Sequence, residues 1–300
     1  MSIQLIVDNV SVPIKQVKYS DGSSNIKLEV PQQLKDYPPS AYYAITVETT
    51  TPADSYLWEI CLVLSAIEHT WPKVKFNRQI LRLPYLPHAR ADRVFEEGNS
   101  FPLEMFLSAI YWMFDEITLI DPHSDYMYIE ENIENDHTDE WESKYSVKFQ
   151  HECFIDTVKD IQSGDILISP DKGALKKIYK LQKALDHRMI ATTIVEASKT
   201  RDVDTGRIIS TSLPEDVDLK GKVAYIVDDI CDGGGTFLPL ADKIKEAGAK
   251  EVHLYVTHGI FAKGLNVFKG IIDKIHCYQT VGTYVNAKDI LDFNNGLEVK

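Results

Sequence analysis

Residues 223–236 read VAYIVDDICDGGGT, an apolar run that ends in two adjacent carboxylates, followed by three glycines and a hydroxyl. Val223, Ala224, Tyr225, Ile226 and Val227 make a short unbroken apolar stretch, the pattern of a strand covered on both faces in a parallel sheet. The expectation is a strand over 223–227 that delivers Asp228 and Asp229 to its C-terminal end. Open α/β sheets bind ligands outside that edge, so two carboxylates there suit a Mg²⁺ ion or the hydroxyls of a ribose. Gly233, Gly234 and Gly235 lack a Cβ and let backbone N–H groups close on an anion. Thr236 then opens a predicted helix, whose N-terminus favours a phosphate. Phe237, Leu240, Ala241 and Ile244 give this helix its apolar face, Pro239 falls in the first turn, and Gly248 supplies the stop. A strand over 252–256 completes a βαβ unit. A plain glycine-rich turn would share the glycines, but it does not require paired acids, glycines and a hydroxyl in this order.

The 300 residues have room for two domains, each with its own core. They are expected at 1–145 and 146–300, both α/β with a mainly parallel central sheet flanked by helices. A net charge of -13 argues against a nucleic-acid binder or an anionic-membrane binder, since both need basic surface. Cys61, Cys153, Cys231 and Cys277 are scattered without metal-ligand spacing and read as free thiols of a reducing compartment. The start, MSIQLIVDNVSVPIK, lacks the basic opening and apolar core of a signal peptide, and no apolar run reaches membrane-spanning length. The expectation is a cytoplasmic protein.

Short apolar stretches at 3–7, 17–19, 26–30 and 43–47 read as strands separated by turns. Tyr56, Ile60, Leu64 and Ile67 fall at helical spacing, as do Leu103, Phe106, Leu107, Ile110, Tyr111 and Phe114. Between them a strand over 79–83 leads into PYLPHARADR at 84–93. Arg90, Asp92 and Arg93 follow His88 there, with Arg78 and Arg82 close by in the sequence. Two readings stand: a solvated loop, or a guanidinium cluster that grips a polyphosphate bidentately and stacks on a purine. A strand over 117–120 ends in Asp121-Pro122-His123, where the imidazole is either a hydrogen-bonded structural group or a metal or phosphate contact. The acidic run over 129–142 reads as solvated surface.

The second half repeats the rhythm. A strand over 165–169 turns at Asp171 into a helix carrying Leu175, Ile178, Leu181 and Leu185, and a strand over 191–195 precedes Lys199-Thr200-Arg201. The polar stretch onward to Gly206 has few apolar anchors and is expected to move. A short helix is expected near 262–268 and a last strand near 275–278. Asp121, Asp171, Lys199 and Asp228 all follow predicted strands.

Several of these pieces together resemble the ribose-phosphate diphosphokinases (PRPP synthetases), which share the type I phosphoribosyltransferase fold. Pro84-Tyr85 and Ala89-Arg90-Ala91-Asp92-Arg93 resemble that family's ATP loop. Asp121-Pro122-His123 resembles its Asp-Leu-His, and Ser169-Pro170-Asp171 with Gly173 its Ser-Pro-Asp-x-Gly. Lys199-Thr200-Arg201 resembles its Lys-Arg-Arg, the residues from Asp228 to Thr236 its ribose and 5-phosphate loop, and Tyr19-Ser20-Asp21-Gly22 its Phe-Ser-Asp-Gly. The resemblance implies transfer of the diphosphoryl group of Mg-ATP to the anomeric hydroxyl of ribose 5-phosphate, giving PRPP and AMP. It implies Lys199, Arg201 and Arg93 as catalytic cations and Asp21, Arg90, Asp92, Arg93 and His123 as ATP contacts. Asp171, Asp228, Asp229, Asp232, Gly233, Gly234, Gly235 and Thr236 become ribose-phosphate contacts, His123 and Asp171 metal ligands, Mg²⁺ the cofactor, and a homo-oligomer built on dimers the assembly. Where the family has threonine and alanine, this chain has Gly233 and Gly234, which either preserve the phosphate loop or leave room for a larger acceptor such as ADP-ribose. A PRPP-dependent phosphoribosyltransferase would use the same loop from Asp228 to Thr236, and a catalytically silent regulatory subunit would keep the fold, so both readings stay open at this point.

Overall fold

The computed structural model describes residues 3–36, 41–126, 144–201, 208–215 and 217–296, with the side chains of 200–201 and 208–210 outside the description. The chain divides into two compact units, Met1–Lys148 and Phe149–Lys300. The acidic run at 129–142 lies outside the described residues.

The first unit is built on a six-stranded sheet. β1 (Ile3–Val7) and β2 (Val10–Val12) form a hairpin closed by Asp8 and Asn9, whose φ values of 46° and 67° meet the demand of a type I′ turn. β5 (Tyr42–Val47) runs antiparallel to β1, and β6 (Arg78–Leu83), β7 (Glu116–Ile120) and β8 (Tyr145–Lys148) continue parallel to it, giving the order β2-β1-β5-β6-β7-β8. α1 (Gln32–Asp36) is a single turn, and α2 (Tyr56–Thr70) buries Tyr56, Ile60 and Ile67 as expected, with Val63 buried in place of the expected Leu64, which is only partly covered. Pro102 begins α3 (Pro102–Tyr111), where its missing N–H costs nothing, and the helix buries Leu103, Phe106, Leu107, Ile110 and Tyr111. These faces join one core with the sheet.

β3 (Ile14–Lys18) and β4 (Ser24–Leu28) form a separate hairpin. Both strands start earlier than the apolar stretches at 17–19 and 26–30 suggest, because the turn is set by Tyr19-Ser20-Asp21-Gly22. Gly22 takes φ 87°, and its N–H donates to the Tyr19 carbonyl at 3.0 Å.

The second unit is a five-stranded sheet, wholly parallel, with order β10-β9-β13-β14-β15. Its strands are β9 (Ile166–Ser169), β10 (Thr193–Glu196), β13 (Val223–Cys231), β14 (Glu251–Gly259) and β15 (Lys274–Thr280). α4 (Gln150–Thr157), α5 (Lys172–Asp186), α6 (Phe237–Glu246) and α7 (Ala287–Asn294) accompany it. Ala224, Tyr225, Ile226 and Val227 are buried in succession, as the unbroken apolar run requires of a strand covered on both sides. At about 1.5–3 kcal/mol for each large apolar side chain buried, such central strands anchor the loops at their ends.

Two expectations are corrected. β13 continues past Val227 to Cys231, with Ile230 paired to His258 and Cys231 to Gly259, so Asp228 and Asp229 lie within the strand. Residues 262–268 hold only a 3₁₀ turn, Asn266–Phe268. Of the stretch expected to move, Lys199–Arg201 lies in β11 (Ser198–Arg201), which pairs with β12 (Ile208–Ser212), and the rest, to Gly206, lies outside the described residues.

Candidate active site

In the second unit, strand order brings the chemistry together. β9 is the direct neighbour of β13, with Ile168 beside Ile226, so the residues after Ser169 emerge next to the aspartates of β13. Asp171 caps α5: one carboxylate oxygen accepts from the N–H groups of Gly173 at 2.8 Å and Ala174 at 3.2 Å. Its other oxygen pairs with the Lys199 ammonium. Burial by itself would raise the Asp171 carboxyl, but the Lys199 charge and the two cap N–H groups outweigh it and hold the carboxyl below the usual range.

Asp229 is buried and pairs with Lys177 Nζ at 2.9 Å. Asp228 is half-buried, with one carboxylate oxygen accepting from the Asp229 N–H at 2.9 Å. Desolvation, then the charges of Asp229 and Asp171, push the Asp228 carboxyl well above the ordinary range. Three carboxylates thus crowd one strand edge with Lys199 and Lys177 among them. This is an electrostatic arrangement poised for a further positive group or for hydroxyl donors.

The glycines divide their tasks. Gly234 takes φ 79°, and a Cβ there would meet the Phe268 ring at 2.8 Å, so only glycine fits. A Cβ at Gly233 would press on the Lys263 side chain at 3.3 Å, whereas one at Gly235 would meet open space. The Gly234 carbonyl accepts from Phe237 and Leu238, each at 3.0 Å, which starts α6. Among the described residues, none accepts from the N–H groups of Gly233, Gly235 or Thr236. Asp232 precedes them, and its carbonyl accepts from the Ala262 N–H at 3.1 Å. Burial raises the neighbouring Cys231 thiol, which is therefore no nucleophile at neutral pH.

In the first unit, β6 and β7 lie side by side with Leu83 paired to Leu119, so their C-terminal loops leave the same edge. Arg93 grips Asp92 with two N–H groups, at 2.9 and 3.2 Å. The Asp92 carboxyl is held low by that guanidinium first, and also by the Ser124 hydroxyl and nearby His123, which joins the two loops. Arg90 and His123 are exposed, and Arg93 lies 6.0 Å from the Phe95 ring centre. Arg78 does not join them: it starts β6, at the opposite end from the loop, and pairs with Glu116. Asp21 stands apart on the β3–β4 hairpin tip and accepts from the Ser23 N–H at 2.9 Å and hydroxyl at 2.7 Å. The backbone of Arg201 ends β11; its side chain lies outside the described residues.

Sequence reading passes over Lys177 and Lys263. Both look like members of an ordinary solvated helix or turn, and only the adjacency of α5 to β13, and of the turn before Gly264 to the glycine loop, marks them.

The comparisons with known proteins follow this geometry. The family described as phosphoribosyl transferase domain matches residues 154–281, a span that contains Asp171, Lys199 and the whole glycine loop. The ribose-phosphate pyrophosphokinase of Pyrococcus abyssi is 28% identical over 260 residues, covering 83% of this chain and 81% of that protein. The chain is a relative of the ribose-phosphate pyrophosphokinases. The same enzyme name is carried by a Saccharolobus solfataricus protein, 24% identical over 290 residues and covering 94% and 89% of the two chains. The crystal structure of phosphoribosylpyrophosphate synthetase from Mycobacterium smegmatis shares the fold, with a TM-score of 0.63 at 18% identity over 90% of this chain and 80% of that one. The two-unit α/β architecture with mainly parallel sheets is therefore a fold shared with that synthetase.

Proposed function

We propose that the chain is a ribose-phosphate diphosphokinase, transferring the diphosphoryl group of Mg-ATP to the anomeric hydroxyl of ribose 5-phosphate to give PRPP and AMP. The observation that carries the reading is the strand edge of the second unit: Asp171, Asp228 and Asp229 with Lys199 and Lys177, directly ahead of a glycine loop with unpaired N–H groups. The first unit is the ATP-binding domain in this reading and the second the ribose-phosphate domain.

Such a transfer needs little covalent help, so catalysis comes from alignment and charge neutralisation. Asp228 and Asp229 accept hydrogen bonds from the ribose hydroxyls. The N–H groups of Gly233, Gly235 and Thr236 donate to the 5-phosphate, together with the start of α6. Lys199 exchanges Asp171 for a phosphoryl oxygen of the transferred group, and Arg201 supports it. Arg90, Arg93 and His123 take the ATP phosphates, with Asp92 holding Arg93 in place.

The three crowded carboxylates are hard oxygen donors whose repulsion a divalent cation relieves, so they fit Mg²⁺. Asp171, released by Lys199, is the ligand proposed in the second unit and His123 the contact in the first. Mg²⁺, when bound, neutralises charge on the phosphate oxygens. Met105 and Trp112, seven residues apart at α3, are 67% and 71% exposed and support association of copies, at least to a dimer. Asp21 is proposed to reach a neighbouring copy's nucleotide. Among the described residues no helix is long and apolar enough to cross a membrane, and a cytoplasmic location is part of the proposal.

The test is AMP release from Mg-ATP with ribose 5-phosphate and, in parallel, ADP-ribose, with products resolved by mass. A diphosphorylated ribose 5-phosphate is expected. A product from ADP-ribose alone would overturn the substrate, and no AMP with either would overturn the kinase.

A further inference from the structure

The second unit holds another cluster of side chains, which the diphosphoryl transfer does not use. His253 lies on β14 and His276 on β15, while Asp160 precedes β9. His253 pairs in register with Tyr225 and Lys274, near the start of all three strands. The cluster therefore sits at the N-terminal side of the sheet, opposite the edge that carries Asp228 and the glycine loop.

The geometry is that of a ligand set. One ligand atom from each of Asp160, His253 and His276 lies within 4.8 Å of the others. His276 Nε2 is 3.3 Å from His253 Nδ1, about the edge of a tetrahedron built on metal–nitrogen bonds of ~2.0–2.1 Å. A second observation fixes the orientation. His253 Nε2 lies 3.0 Å from a Glu251 carboxylate oxygen, which accepts from the Nε2–H and leaves the Nδ1 lone pair facing His276. A carboxylate behind an imidazole is the device that orients metal-bound histidines and raises their basicity. The Tyr225 ring meets His253 edge-on with centroids 4.8 Å apart and keeps water from one side. Lys274 Nζ donates to Asp160 Oδ2 at 2.7 Å, and the Tyr225 hydroxyl hydrogen-bonds the same carboxylate, so both hold it beside the two imidazoles.

We propose that Asp160, His253 and His276 form a binding site for a divalent transition-metal ion, of which Zn²⁺ is the type, with Glu251 as the positioning group. Two imidazoles and one carboxylate suit such an ion, whereas Mg²⁺ prefers an all-oxygen shell. Burial lowers both imidazoles from their ordinary value, which favours the neutral form that ligates. Binding asks His276 to carry its proton on Nδ1 in place of Nε2, a change of tautomer without net ionisation. The bound ion ties the segment before β9 to β14 and β15, so its role is to brace the sheet from the side away from the chemistry.

The experiment uses the full chain without an affinity tag, stripped with chelator and titrated with Co²⁺ in excess Mg²⁺, which fills the carboxylate edge. Expected are one equivalent of Co²⁺ bound, visible d–d absorption bands that Zn²⁺ displaces, and a higher Tm. Asp160→Asn, on an exposed residue, should keep the fold and weaken binding by about tenfold or more, and Glu251→Gln by about 10–100-fold. His276→Gln should abolish the bands, whereas His69→Gln, on the exposed face of α2, should leave them. AMP formation by Asp160→Asn should equal that of the unaltered chain. Absence of stoichiometric Co²⁺ uptake, or uptake unchanged in both Asp160→Asn and His276→Gln, would overturn the site.

Discussion

The loop after β6 presents Arg90 and Arg93 at an exposed surface, whereas β13 sinks Asp229 to 6% exposure and holds Asp228 beside it. Exposed guanidiniums cost the free protein little, since an ion pair such as Arg93–Asp92 is screened by water. Crowded, desolvated carboxylates burden the free protein and release that burden when hydroxyls and a cation arrive. One edge waits for its ligand without strain, while the other is preorganised against its own stability.

The largest effect expected from breaking this contrast is in Lys199→Ala. Loss of one preorganised cation costs about 10²-fold or more in turnover, and circular dichroism should show the fold intact. Near-normal turnover of a folded variant would remove Lys199 from the chemistry. Next comes Gly234→Ala, where φ 79° and the Phe268 ring at 2.8 Å both oppose a side chain; denaturation should show a loss of about 1–3 kcal/mol. Gly235→Ala is its counterpart, expected to keep stability and weaken ribose 5-phosphate binding. Equal destabilisation of the two would refute the division of tasks.

The pH dependence separates the two acidic groups by sign. The Asp228 carboxyl is raised in the folded chain, so its contribution is full below the ordinary value of ~3.9 and is lost as pH rises through the folded value. Asp171 is lowered, so its contribution is present above that ordinary value and lost as pH falls through the folded one. Asp228→Asn should therefore raise the Tm of the ligand-free chain at neutral pH and not in acid, while AMP release falls. A lower Tm at neutral pH would show that the carboxylate is not strained. The smallest change is expected from Arg93→Ala, with KM for ATP raised and Tm unmoved.

Much of this was legible in the residues. The apolar run at 223–227, the helical faces of α2, α3, α5 and α6 and the order of acids, glycines and hydroxyl each depend on neighbours a few positions away. The length of β13 was not, because a polar residue ends an apolar pattern but does not end a ladder whose hydrogen bonds come from β14. Arg78 misleads for a related reason: four residues before Arg82 in the chain, it stands at the other end of an extended strand. Lys177 was hidden among Lys176, Lys180 and Lys183 on α5, alike in type and different only in what they face.

The sequence by itself determined which chemistry could gather at a strand edge, since burial periodicity and turn residues act through local backbone geometry. Tertiary structure alone decided the pairings: Lys199 with Asp171, Lys177 with Asp229, and His253 with His276 and Asp160. These contacts follow from the order β10-β9-β13-β14-β15. That order is chosen by which buried faces pack together, and no local period in the chain encodes it.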